Sequence, residues 1–134
     1  MNRQKIIVVS LMIFSAILFG GTMFYQNSVQ YLAKHHLEQG YQFYEEERYE
    51  TAVLSFQKAI EFCPRQIDGY VGAANAYIRL GREPEAVNAL EKMSRNTMGE
   101  TYKERENMSE KWIPLEKLMQ WYLNQNIENS EKVQ

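Results

Sequence analysis

At 134 residues and 15.8 kDa the chain has room for one modest domain plus an additional segment, and 45% apolar with 24% charged residues is the balance of a folded protein, not a disordered one. A formal net charge of −2 and a pI near 5.7 exclude the basic face that a nucleic-acid binder needs to neutralise phosphates. The single cysteine, Cys63, rules out an internal disulfide, and beside Pro64 with no nearby base it reads as a small apolar filler.

From Ile6 to Tyr25 the chain carries no charge, and its interior is almost wholly Ile, Val, Leu, Met, Phe and Ala. About 20 residues at 1.5 Å each span roughly 30 Å, the hydrocarbon thickness of a bilayer, so this run predicts a transmembrane helix. A cleaved secretory signal would have a shorter apolar region and a small-x-small site. Here Gly20, Gly21 and Thr22 merge directly into Met23, Phe24 and Tyr25, which favours an uncleaved signal anchor. Arg3 and Lys5 precede the run and the first cation after it is Lys34, so the amino terminus is expected in the cytoplasm and the remainder on the extracytoplasmic side. Phe24 and Tyr25 suit the interfacial aromatic belt.

Gln26 to Gln30 holds neither Pro nor Gly, so nothing stops the helix there and the anchor is expected to continue into the next element. His35 and His36 are neighbours and point about 100° apart on a helix. Converging metal ligands need a spacing of three or four, so the two read as a surface pair and no metal site is expected.

Between Gly40 and Pro64 small and aromatic residues fall at fixed offsets: Gly40, Phe43, Tyr49, Ala52, Phe56, Ala59, then Pro64. Small residues permit close helix approach, rings fill the space between helices, and proline stops the second helix, so the pattern describes an amphipathic helical hairpin. A shift of roughly 34 residues brings back Ala74, Tyr77, Ala86 and Leu90, with Arg48 matching Arg82, Ala52 matching Ala86, Val53 matching Val87 and Lys58 matching Lys92. The chain therefore contains an internal repeat.

In the first unit, helices are expected over Val29–Glu46 and Glu50–Cys63, with inner stripes Leu37, Gly40, Phe43, Tyr44 and Ala52, Val53, Phe56, Ala59, Ile60. In the second, Asp68 is expected to cap a helix that reaches Leu80 and ends at Gly81, and Pro84 sits in the first turn of the next, where proline is tolerated. Ala86, Val87, Leu90 and Met93 form that helix's inner stripe.

These residues resemble the tetratricopeptide repeat family, in the form of a membrane-anchored bacterial protein, over Ala33 to Gly99. The second copy departs from the pattern: Glu83 replaces the aromatic held by Tyr49, Met93 the small residue held by Ala59, and Met98 the proline held by Pro64. Those departures mark a terminal repeat packed against something non-repetitive. The resemblance implies an all-α fold, a short α-solenoid of two helical hairpins (about 33–66 and 67–99) within a domain spanning 29–99. It also implies a protein-binding scaffold whose concave face, lined by the first helix of each hairpin, presents Leu37, Tyr41, Tyr44, Val71, Asn75, Ile78 and Arg79. Members that clamp a chaperone's acidic carboxyl terminus use lysine and asparagine there. Leu37, Tyr41 and Gly72 hold those places here, so that specificity is not expected. The face is aromatic and aliphatic with one cation, suited to a partner with an apolar or helical segment.

Two repeats bury their faces poorly alone, so the remaining chain should supply a cap. Glu100 to Lys111 is dense in charge and reads as linker or weak helix. Pro114 then opens an amphipathic stretch with Leu115, Leu118, Met119 and Tyr122 on one stripe and Trp112, Ile113 and Trp121 beside it. The expected layout is residues 1–28 as cytoplasmic tip and anchor, 100–126 as linker and capping helix, and 127–134 as a frayed tail. Trp112, Trp121 and Tyr122 either cover the second repeat, the favoured reading, or form a second partner surface through which the chain self-associates or joins a membrane complex. No glycine-rich phosphate loop, paired-cysteine pattern or nucleophile with a histidine base is present, so neither an enzyme nor a cofactor is expected.

Overall fold

The computed structural model describes residues 3–97, 99, 102 and 109–131, and of residues 129–131 the backbone only. Within them the chain is all helical: α1 (Arg3–Glu45), α2 (Tyr49–Phe62), α3 (Ile67–Arg79), α4 (Glu83–Asn96) and α5 (Leu115–Glu131). The expected charged linker lies largely outside the described residues, as does the Met98 position.

α1 is one uninterrupted helix of 43 residues, as the absence of Pro and Gly from Gln26 to Gln30 allows. Among the described residues it is the one helix long and apolar enough to cross a membrane, a test that a signal sequence also passes. Its apolar first part is exposed, with Phe19 at 67%, whereas Ala33, Leu37, Gly40, Tyr41 and Tyr44 at its far end are buried. One helix thus serves two environments.

The two hairpins, α1 with α2 and α3 with α4, turn in the same way. Arg48 N–H donates to Phe43 O and Arg82 N–H to Tyr77 O, each at 2.9 Å, and the residue before each arginine adopts a left-handed conformation, Glu47 at φ 60° and Gly81 at φ 69°. Each arginine then lies over the ring whose carbonyl it caps, at 4.6 Å for Arg48 over Phe43 and 5.0 Å for Arg82 over Tyr77. The repeat is therefore reproduced in backbone and side chain together. Glu47 holds the shape without glycine's freedom, at a cost of about 1 kcal/mol.

Two expected stops and one expected start stand: α2 ends before Pro64, α3 ends before Gly81, and Pro84 sits in the first turn of α4. Asp68 does not cap α3. The helix starts at Ile67 with Gln66 at its cap position and no side-chain cap bond, so Asp68 lies inside the first turn, where its charge suits the helix dipole instead. α5 runs on to Glu131, beyond Asn126.

The core is centred on Phe56, which is fully buried. A Cβ added at Gly40 of α1 would lie 2.6 Å from its Cε1, and one added at Gly72 of α3 only 2.4 Å. Two glycines from different repeats thus make a slot one ring thick, closed by the edge of Tyr41 at 5.3 Å. Tyr70, also buried, ties the second repeat together: its hydroxyl donates to Pro64 O (2.8 Å) and accepts from Asn96 Nδ2 (2.9 Å).

Candidate functional site

α1 and α3 carry the seven residues expected on the concave face, and the fold brings them together. Leu37, Tyr41, Tyr44, Val71 and Asn75 are buried, Ile78 is half-buried and Arg79 is exposed. What covers them is the chain itself: Ser109–Pro114, a strap leading into α5, lies across both helices. Ile113 precedes Pro114, and a residue before proline is pushed out of the helical region into extended backbone, which suits the strap's path.

The strap is held through its main chain. Asn75 accepts the Ile113 N–H at its Oδ1 (2.7 Å) and donates from Nδ2 to Ile113 O (3.1 Å), while Nδ2 also reaches Val71 O (3.0 Å). Two residues earlier, Lys111 O accepts from the Tyr44 hydroxyl (3.1 Å) and from Arg79 Nη2 (3.0 Å). Arg79 Nε also donates to the Tyr44 oxygen at 3.4 Å. Lys111 Nζ pairs with Glu47, an exposed contact of small energetic weight. Burial pushes the Tyr44 phenol above its ordinary range against the opposing pull of Arg79, so the hydroxyl keeps the proton that it donates.

Between these backbone clamps Trp112 inserts its ring, 5.5 Å from Tyr41 and 5.1 Å from Tyr44, the latter edge-on at 77°, with Tyr49 behind Tyr44 at 5.3 Å. Trp112 is 6% exposed, and among the described residues its indole nitrogen has no hydrogen-bond partner, nor has the buried Ser109 hydroxyl. Trp112 therefore packs its ring on the first repeat, where the sequence suggested a cap on the second. Trp121 and Tyr122 are half-buried against the core and Leu118 of α5 is fully buried, whereas Leu123 and Ile127, one turn apart on α5, are exposed.

Lys111 and Ile113 act through their carbonyl and amide groups, which no side-chain pattern reveals. The one signal available for them was Trp-Ile-Pro, an aromatic residue followed by a position forced extended. His36, from the discounted pair, stacks flat on Phe62 (5.6 Å, 1°) and hydrogen-bonds Gln39 at 3.2 Å. Cys63 is half-buried at the end of α2, with its thiol pKa raised by burial. A shallow cavity of ≈ 430 Å³ lies away from the concave face, between α2 and α4, where Gln57 Nε2 donates to the Tyr77 hydroxyl at 2.8 Å. Its lining of Glu61, Glu85, Asn88 and Lys92 is a mixed polar surface that converges on no chemistry.

Residues 40–81 match the protein-family model described as TPR repeat. No curated protein and no solved structure matches the chain. The duplicated turns, the glycine slot around Phe56 and the family match together support placing the stretch from Gly40 to Gly81 in the tetratricopeptide repeat family, whose repeats are generally non-catalytic modules that bind protein partners.

Proposed function

We propose that the chain is a membrane-anchored interaction scaffold that recruits or assembles envelope or secretion proteins through the concave face of α1 and α3. The observation that carries this reading is the face's chemistry: Asn75, Tyr44 and Arg79 offer hydrogen bonds to a main chain on either side of an aromatic pocket formed by Tyr41 and Tyr44. That is the outfit of a peptide site, with main-chain bonds for affinity and a ring pocket for choice. A photo-crosslinking residue in place of Ile78, at the open edge of the face, is expected to capture a protein in living cells, and the same residue in place of Leu123 is not. Capture from Leu123 alone would remove the concave face from the proposal.

That contrast also tests a second reading, in which the carboxy-terminal helix joins a membrane complex or a second copy of the chain. The exposure of Leu123 and Ile127 beside Trp121 favours it.

The proposed location is a single-pass membrane protein with its amino terminus in the cytoplasm and its repeats on the other side. Arg3 and Lys5 before the apolar run, with Lys34 the first cation after it, support that orientation. Protease added to cells stripped of their outer layers is expected to digest the repeat domain. A domain that survives until the membrane is permeabilised would reverse the topology.

A further inference from the structure

We propose that Ser109–Pro114 is a displaceable self-ligand, occupying the concave face in place of a turn-forming partner segment that carries a phenylalanine-like ring followed by an aliphatic residue. The inference rests on the scaffold reading above and adds to it the shape of the ligand and the means of control.

Three observations lead there. The clamp is directed at backbone: Asn75 engages both the N–H and the C=O of Ile113, and Tyr44 and Arg79 share the carbonyl of Lys111. The strap offers those groups from a turn closed by the Trp112 N–H on Ser109 O (2.9 Å) and from the residue after it, and any segment that can take that turn offers them whatever its side chains, whereas a helix has spent them internally. The ring pocket then chooses an aromatic side chain. The strap fills that pocket imperfectly, because among the described residues the buried Trp112 indole nitrogen has no acceptor. An unmet buried donor weakens the strap's hold by about tenfold. A phenylalanine ring brings no such donor.

The strap's compensating advantage is its tether, which supplies an effective concentration on the order of millimolar. A second copy of the chain would bring the same unmet indole without the tether, so a different protein with a better-matched ring is the occupant the site favours. Binding then requires the strap to leave, and the apparent affinity for any partner falls in proportion to the fraction of molecules with the strap in place.

The test uses the full chain in phosphatidylcholine nanodiscs and a fluorescent peptide of residues 109–115 carrying Trp112→Phe. The wild-type chain is expected to bind it weakly, and the Trp112→Ala chain about tenfold more tightly or better, because its face is open for a larger fraction of the time. Adding Asn75→Ala is expected to abolish that gain, and the peptide with its tryptophan restored is expected to bind less well than the phenylalanine form. Ile113→Pro, which deletes the amide held by Asn75, provides the same opening with the Trp112 ring retained. The proposal is overturned if both variants keep their helical signal but bind no more tightly. It is overturned equally if both unfold, since the strap is then an inseparable part of the core, or if release yields a concentration-dependent dimer and no peptide binding. Peptide failure with successful crosslinking from Ile78 leaves the scaffold standing without its self-ligand; peptide binding with no capture in cells does the reverse.

Discussion

Phe56→Ala is expected to destabilise the repeat domain by about 3–5 kcal/mol in urea unfolding of the full chain in detergent, the range for removing a fully enclosed aromatic ring. The ring is fully buried, its slot walls are the backbones of α1 at Gly40 and α3 at Gly72, and neither wall can move inward without dragging a helix. The cavity left behind therefore stays open, which places the cost toward the upper end of the range. The same slot predicts a sign change at Gly72. Elsewhere in a helix Gly→Ala stabilises by about 1 kcal/mol. At Gly72 the new methyl would stand 2.4 Å from the Phe56 ring, so Gly72→Ala is expected to lose about 1–3 kcal/mol as an overpacked site. In a Phe56→Leu background the penalty should shrink or reverse, and the two substitutions should couple strongly in a double-mutant cycle. If Gly72→Ala proves neutral with Phe56 in place, the ring is free to move aside and the slot is not rigid.

The second large effect is expected at Asn75. Asn75→Ala removes both partners of Ile113, leaving an amide and a carbonyl in the covered face with nothing to bond, at a cost of about 2 kcal/mol or more. Asn75→Asp is nearly isosteric but should be no gentler. It keeps the acceptor for the Ile113 N–H and replaces the donor by an oxygen facing the carbonyls of Val71 and Ile113, burying either a charge or a mismatched acid. Tryptophan fluorescence reads the outcome directly: with Trp121→Phe in the background only Trp112 reports, and its emission should shift toward that of a solvated indole in both variants. An unshifted emission would mean that ring packing against Tyr41 and Tyr44 holds the strap without Asn75.

Much of the repeat was legible because its punctuation is local. Gly81, Pro64 and Pro84 stop or start helices through their own backbone restrictions, and Ala52, Phe56 and Ala86 declare their inward faces by helical spacing alone. Where the reading failed, the controlling contact lay elsewhere in the chain. Asp68 has the side chain of a cap, but the helix began one residue before it. Gly72 looked like a missing ligand-binding asparagine; it is a packing glycine, and only the position of Phe56 in the preceding repeat explains it. The seven residues expected on the concave face lie on α1 and α3, and a cap from the remaining chain was expected, but the way it is held was not legible, because main-chain groups of Lys111 and Ile113 leave no trace in side-chain periodicity. Trp112 was grouped with α5 by proximity in sequence, whereas its ring belongs to the face made by α1.

The unbroken course of α1 sets a bearing and a height. A helix advances about 1.5 Å and turns about 100° per residue, so on the proposed anchoring, with α1 along the membrane normal, Tyr44 would stand about 30 Å above Tyr25, at an azimuth that the intervening residues determine. No hinge stands between the two to average that angle away. On that reading, a partner rooted in the same membrane would need about nine extended residues, at roughly 3.3 Å each, before its docking ring could reach the pocket. α1 would thus discriminate among neighbours by the length of their stalks as well as by the ring at the tip.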